Sequence, residues 1–561
     1  MRILLFLVIA DLAAGEVVYR NTSAQVGYTS SRACAGCHRS IYESYASSGM
    51  GRSLSRPSPD LLAGPVLVRN ETLHREFRVI RDGDSLFQSE SEQKDGKTVF
   101  ETIHKLEYAI GSGENGISFV VRRGDHLFQA PISYYAAAKA WDFSPGFRQT
   151  GEGFSRPIYE ACIVCHAGRP QAMPQGEGRY QDPPFAELAI GCENCHGPGQ
   201  LHVQERGRGA KDRPDTSIVN PARLPARLAE DVCMQCHQGG DARVLLPGKR
   251  YADFRPGTPL IRSVAIFGLP VNEKDVDLLE HHASMKLSRC FKASGEKLSC
   301  LTCHDPHRQP SSAQAPAYFN GKCMGCHSRQ SCKLSLASRR QTVPADNCIQ
   351  CHMPKRSVET VSHAALTNHR IPARTGTGSA QLQAPASFRP DLPGLFLLNE
   401  RAGEPPLPLL TRLSAYGELM ARAPALQSKY QELLNEASRS APEDPLVLAA
   451  LGRKALAENR TEAIELLSKS ESKGAPGYST YVDLSEALSH AGRVEESESA
   501  LERGARAFPF SAPIRKHLVL GYIRLKDYAK AKQAMERFVE DFPEDAFMRG
   551  LLQQAQGGVR R

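Results

Sequence analysis

Two stretches of this chain carry opposite hydrophobic periods, and a third carries neither. From about residue 65 to 135 apolar positions alternate as they do along strands. Phe77 and Val79 lead to Asp82-Gly83, then to Leu86 and Phe87. Val99, Glu101 and Ile103 follow, then Phe119 to Val121, Gly124-Asp125 and Leu127-Phe128. Turn dipeptides between alternating runs are hairpin signals, so this interval predicts a small antiparallel β subdomain. Beyond residue 400 the texture is helical, rich in Ala, Leu, Glu and Lys. It also repeats: Pro442, Pro476, Pro509 and Pro543 are 34, 33 and 34 residues apart, with mid-unit turns at Asn459-Arg460, Gly492-Arg493 and Lys526-Asp527. A period near 34 residues with helical pairs predicts an α-solenoid. The last unit, with Leu520-Gly521-Tyr522, Tyr528, Ala529 and Ala534, resembles the tetratricopeptide repeat, and Leu407 to Ser440 adds a preceding helical pair. The stretch from about Ile371 to Leu397, rich in Pro, Ser, Thr, Gly and Gln, reads as a linker.

Between these regions neither period persists, and composition explains why. All 16 cysteines lie before residue 353, and 14 of them stand in one pattern: Cys, two residues, Cys, His. The seven copies are Cys34-Cys37-His38, Cys162-Cys165-His166, Cys192-Cys195-His196, Cys233-Cys236-His237, Cys300-Cys303-His304, Cys323-Cys326-His327 and Cys348-Cys351-His352. Residue frequencies predict about 0.01 copies by chance, and the pattern is the attachment sequence of c-type haem. Two thiols one helical turn apart can add to two vinyl groups on one porphyrin edge, and the adjacent His becomes the proximal iron ligand. Zinc accepts Cys and His, but its tetrahedral geometry does not require His after every second Cys. Seven covalent haems c are therefore expected. Motifs one and two are 128 residues apart, while the later ones follow at 23 to 67 residues. Such spacing leaves little room for an ordinary apolar core, so haems must fill much of the interior between short helices and loops.

Arg2, the apolar run Ile3 to Ala10 and the small residues Ala13-Ala14-Gly15 match a cleaved secretory leader over residues 1–15. No other stretch approaches the length of a membrane span. The reading is a periplasmic or secreted protein, with peripheral membrane association open. Net charge is +9, from 70 basic and 61 acidic residues, but the basic residues are dispersed, which argues against nucleic acid as a partner. Haem propionates would offset part of that charge, with Lys355 and Arg356 as candidate counter-ions.

The occupant of each iron's second axial position separates electron carriers from catalysts. Outside the motifs and the repeat region, His74, His104, His126, His202, His281, His282, His307, His363 and His369 remain. His307 follows His304 by three residues and shares its helical face, so it should ligate a neighbouring haem, and His202 invites the same argument after His196. His281 and His282 diverge by about 100° on a helix, so one of the two ligates, and His282 is taken as the candidate. His363 and His369 complete the candidate set. His74, His104 and His126 lie in predicted strands, where an ordinary histidine role is as good an account. Met50, twelve residues after His38, is a further candidate.

The first motif with Ile41-Tyr42 and Ser48-Gly49-Met50, the CHGPG run with His202, and the CHDPH run with His307 are similar to tetrahaem nitrification cytochromes. Those belong to a wider group with pentahaem nitrite reductases and hydroxylamine oxidoreductases. Val219-Asn220-Pro221-Ala222-Arg223, Val232 to His237 and Cys351-His352-Met353-Pro354 resemble bacterial multihaem cytochromes with C-terminal tetratricopeptide repeats. The resemblance covers roughly residues 30–372 and, more generically, 442–545. It implies bis-ligated haems in a group holding both carriers and enzymes. This chain has Met50 where the tetrahaem relatives commonly place a ligand His, and none of its motifs ends in Lys, as the nitrite reductases' active-site haem does. No counterpart of the hydroxylamine oxidoreductases' tyrosine cross-link is evident. Met50 would raise one haem's potential if it ligates or open a site if it does not, and the two absences favour a carrier.

The expected architecture is mainly α: a heptahaem domain over 30–372 with a β insertion at 65–135, a linker at 373–400, and a tetratricopeptide-type solenoid over 401–561. The expected function is electron transfer along packed haems, with the solenoid docking redox partner proteins. The alternative is an oxidoreductase acting on a small nitrogen or sulfur compound at one five-coordinate haem. Cys290 and Cys332 stand outside the motifs, either as a disulfide or as two free thiols.

Overall fold

The computed structural model describes residues 17–173, 178–211, 214–270, 280–295, 297–328, 331–357, 365–372, 391–474 and 476–557. The leader, His363 and most of the linker lie outside them.

The alternating interval forms two antiparallel sheets. Val66–Asn70, Arg75–Asp82, Ser85–Lys94 and Lys97–Lys105 pair in chain order, turning at Gly83 and at Asp95-Gly96, all in the left-handed region. The second sheet runs Leu54–Ser55, Tyr108–Ile110, Gly116–Arg123, Ile132–Tyr135 and Ala140–Phe143, with His126–Gln129 paired to its central strand. Strands thus extend beyond 65–135 on both sides, because the short strands at 54 and 140 complete edges that the hairpins leave open. Phe119, Val121, Phe128 and Leu86 fill the space between the sheets.

The motif region contains ladders that alternation did not foretell: Gly168–Ala172 with Tyr180–Glu187, Ala242–Leu245 with Val264–Gly268, and Lys355–Ser357 with Ala365–Thr367. They are short and hold loops rather than build a core. Between His281 and Pro372 only Met285, Phe291 and Pro316 are buried apolar side chains among the described residues. A stretch of that length normally buries many more to offset its conformational entropy.

Nine helices among the described residues make up the C-terminal region, from Leu409–Leu419 to Ala546–Gly557. Helices start two or three residues after each repeat proline, at Pro445, Tyr478, Ala512 and Ala546. The mid-unit turns fall where the repeat places them: Asn459, Gly492 and Lys526 have φ of 55°, 75° and 62°, the left-handed conformation that ends a helix. Gly504 permits a close approach, since a Cβ there would run into Ile514 and Tyr481.

The solenoid is tied to the rest of the chain at both ends. At its start, Leu413, Tyr416 and Leu419 pack with Ala242, Val244 and Phe267 in one apolar cluster. Residues 391–400, assigned by composition to the linker, belong to that cluster: Leu392 and Leu395 are buried, and Phe396–Leu397 adds a strand beside Val264–Gly268. Pro and Gln content marked this segment as open, but its spaced leucines are what the sheet edge needed. At the far end Phe510 packs edge-on against Phe128 at 5.3 Å, and Arg123 lies over Phe510 at 4.5 Å. Arg123 also pairs with Asp541, Arg549 with Glu92 at 2.5 Å, and Arg75 donates to the Glu544 carbonyl at 3.0 Å.

Glu90 sits under this second junction, 1% exposed and 3.1 Å from Arg75. Burial pushes its carboxyl up to about 8; Arg75 and Arg549 pull it down, and Glu544, itself raised by burial to about 6, pushes it further up. A carboxyl raised in the folded state favours folding where it is protonated. That contribution is whole below the ordinary carboxylate range and is lost as pH climbs towards 8. Amide protection factors in Tyr528–Asp541 and Ala546–Gly557, taken relative to intrinsic exchange at each pH, should therefore fall between pH 5 and 8.5. Glu90→Gln, which still accepts from Arg75, should flatten that dependence. Arg549→Ala should weaken the junction at every pH by about 2 kcal/mol, the usual cost of removing a charged partner from a half-buried carboxylate such as Glu92.

Candidate metal centres

Each Cys-x-x-Cys-His run coils into a helical turn. The His N–H donates to the carbonyl of its first Cys in motifs one, three, five and six, at 2.8, 3.0, 2.9 and 2.9 Å. In motif four the run closes the longer helix Ala226–His237, and in motif seven it is the helix Cys348–His352. The two thiols of a motif thus lie one turn apart on one side, with the imidazole just beyond.

Four proximal rings face a second histidine ring. His38 and His202 have centroids 6.4 Å apart, with planes 19° from parallel. His196 and His307 are 5.8 Å apart at 6°, His237 and His281 5.9 Å at 18°, and His304 and His369 6.2 Å at 30°. An imidazole centroid lies about 1.1 Å behind its nitrogen and metal–nitrogen bonds run about 2 Å, so two imidazoles facing across one metal have centroids roughly 6 Å apart. All four separations match that gap. Among the described residues no three His, Cys, Asp or Glu side chains converge as they would on a bare metal ion, so the donors come in facing pairs.

Second contacts orient several of these rings. His196 Nδ1 lies 2.8 Å from the Val219 carbonyl, His352 Nδ1 2.8 Å from that of Pro372, and His369 Nδ1 2.9 Å from that of Thr367. His202 Nδ1 lies 3.0 Å from Asp215 and 3.2 Å from Ser217 Oγ. A proton held at Nδ1 leaves Nε2 with its lone pair free, the form that ligates metal. Burial lowers the His166, His196, His237, His304 and His369 rings, and takes His281 down to about 3, so these rings stay neutral. Burial pushes Asp215 upward, but bonds from Arg206 and Ser217 outweigh it and keep an anion behind His202.

The remaining candidates are placed differently. His282, buried beside His281, has Nε2 3.2 Å from Glu230, which occupies the nitrogen a metal would need; it is His281 that turns to His237. His104 likewise has Nε2 3.0 Å from Thr102 and packs on Phe154, and His126 packs against Phe510. Neither is brought to a motif ring. His74 is an exposed turn residue. Met50 stands in the turn after the helix Arg39–Ala46, and it is His202 that faces His38. Cys290 and Cys332 are both free thiols.

Cysteines of neighbouring motifs lie close to one another. Cys192 acts most strongly on the ionisation of Cys34, Cys236 on that of Cys165, and Cys233 on that of Cys300. Cys195 is in electrostatic reach of Cys236, Cys303 of Cys326, and Cys323 of Cys348. Asp215, the supporting carbonyls and this proximity between motifs have no signature in the sequence. Only the neighbourhood of His202 could have drawn attention to Asp215.

No family model and no curated protein matches the chain. Among solved structures it is similar to the outer cell wall cytochrome OcwA, at 15% identity over 86% of this chain and 99% of that one, with a TM-score of 0.37. It is also similar to MamA, at 18% identity over 27% of this chain and 78% of that one, with a TM-score of 0.20. The third is the APC/C hetero-tetramer Cut9-Hcn1, at 20% identity over 26% of this chain and 29% of that one, with a TM-score of 0.23. At such scores these are likenesses only, and any functional assignment rests on the chain's own residues.

Proposed function

We propose that this protein is an electron-transferring c-type cytochrome that holds seven haems through its seven motifs. The observation that carries the reading is the set of four facing histidine pairs at a separation suited to one iron each. His202 with His38, His307 with His196, His281 with His237 and His369 with His304 would then hold one iron each. His282 and Met50 leave the ligand set, since Glu230 takes the first and His202 stands where the second was needed. The scarcity of buried apolar side chains between residues 281 and 372 is a second support, because porphyrin faces would supply the missing core.

Bound haem supplies reversible one-electron exchange at iron, and the protein sets the potentials through ligands, burial and charge. The proximity of these cysteines orders the sites. Motif one adjoins three, three adjoins four, two joins at four, and five, six and seven follow in sequence. The route branches at motif four. No helix among the described residues is long and apolar enough to cross a membrane. We place the protein in the periplasm or outside the cell, with redox partners docking on the solenoid between its two anchored ends.

The mature protein, made in a host that attaches haem c, should exceed its polypeptide mass by seven haems. His202→Ala should convert one low-spin ferric haem in seven to high spin by EPR, while Met50→Ala leaves the spectrum unchanged. The opposite result would restore Met50 as ligand. A high-spin signal in the unaltered protein that responds to nitrite, hydroxylamine or sulfite would establish the oxidoreductase reading instead. Asp215→Asn removes the anion behind His202 and makes that ligand less basic. Spectroelectrochemistry should then show one midpoint potential raised by tens of millivolts, about 1 kcal/mol for a change of this kind.

A further inference from the structure

Four histidine rings gather where motifs four and five meet, and His237 acts on His304 and His369 as well as on His281. His237 faces His281 at 5.9 Å, His281 meets His369 at 4.2 Å, and His369 faces His304 at 6.2 Å. The outer gaps match one iron each; the middle one does not. At 4.2 Å, tilted by 33°, the two inner rings are in van der Waals contact, closer than most aromatic pairs.

We propose that His281 and His369 do more than ligate separate irons: their direct ring contact joins the haems of motifs four and five into one electronically coupled pair. This rests on the ligand assignment above and goes beyond it. An electron leaving one iron reduces the other through the two touching imidazoles. One Fe(II) becomes Fe(III) as one Fe(III) becomes Fe(II), and no proton or co-reactant is needed.

The chain positions His281 and His369 by bonds outside the cluster. The Glu280 carboxylate accepts from Gln238 Nε2 at 2.8 Å and from the Gly240 N–H at 3.1 Å, and also from the Gly239 N–H. The residue before His281 is thereby bound to the residues just after His237. His369 hangs from the ladder Lys355–Ser357 with Ala365–Thr367, and the Asn368 N–H donates to the Pro354 carbonyl at 3.1 Å. The segment after motif seven thus reaches back to motif five and touches the ligand of motif four. The Cys233 and Cys300 thiols, close to one another, bring the same two motifs together at another point. Glu280 is a positioning residue in this arrangement.

EPR of the full-length, haem-loaded, fully oxidised protein tests the coupling, with haem counted independently by its pyridine complex. The unaltered protein should show two of its seven haems in a broad interaction signal. His369→Met should abolish that signal and return one isolated bis-histidine haem and one His/Met haem. His307→Met, which alters a different pair, should leave it in place. If all seven haems give isolated signals, or if the interaction survives His369→Met while a His/Met haem forms, the coupling is wrong and the ligand assignment stands. If His369→Met forms no His/Met haem and changes no signal, the ligand assignment itself falls. Should that variant fail to mature, Glu280→Gln loosens the hold on His281. A weakened interaction signal at full haem content would support the proposal, and an unchanged one would overturn it.

Discussion

Everything in the motif region depends on imidazoles being held apart rather than together. Four pairs stand with ring centroids 5.8 to 6.4 Å apart, the spacing two imidazoles would keep across one metal. Backbone carbonyls and one carboxylate hold several of the Nδ1 edges, and short helices carry His202, His237 and His281. His196, His202 and His369 are thus aimed by partners outside their pairs, the arrangement that keeps metal ligands in geometry and neutral. The one pair in contact, His281 with His369, links two gaps instead of spanning one.

Such a region lacks the apolar mass to hold itself rigid. Rigidity enters from its margins. The antiparallel sheets pack a conventional core of Phe119, Val121 and Phe128. The solenoid leaves the sheet Ala242–Leu245 with Val264–Gly268 and returns to the strands carrying Arg123, Glu92 and Arg75. A helical array that could have hung free is instead a brace joined at two points. Its far junction is charged and buried, so it is more sensitive to proton concentration than the apolar junction at its start.

Short-range patterns were readable in advance because short-range physics writes them. The hairpins follow from alternation and turn dipeptides, and Asn459, Gly492 and Lys526 end helices where the repeat period sets them. Reading failed where a residue's role depended on distant chain. Leu392 and Leu395 looked like linker because the sheet edge they cover lies more than a hundred residues away. His281 and His282 were indistinguishable as neighbours on one helix, and Glu230, from another helix, decided between them. Met50 drew attention by its place after a motif, but His202 arrived from a separate segment to face His38.

The sequence by itself determined the donor set: seven thiol pairs with adjacent histidines, since spacing within one helical turn needs no tertiary information. Its periodicities likewise determined sheet and solenoid. Only the tertiary structure decided which histidine faces which, which motifs adjoin, and where the solenoid returns. Those relations join residues tens to hundreds of positions apart, and no local spacing encodes a distance that the folded backbone alone sets.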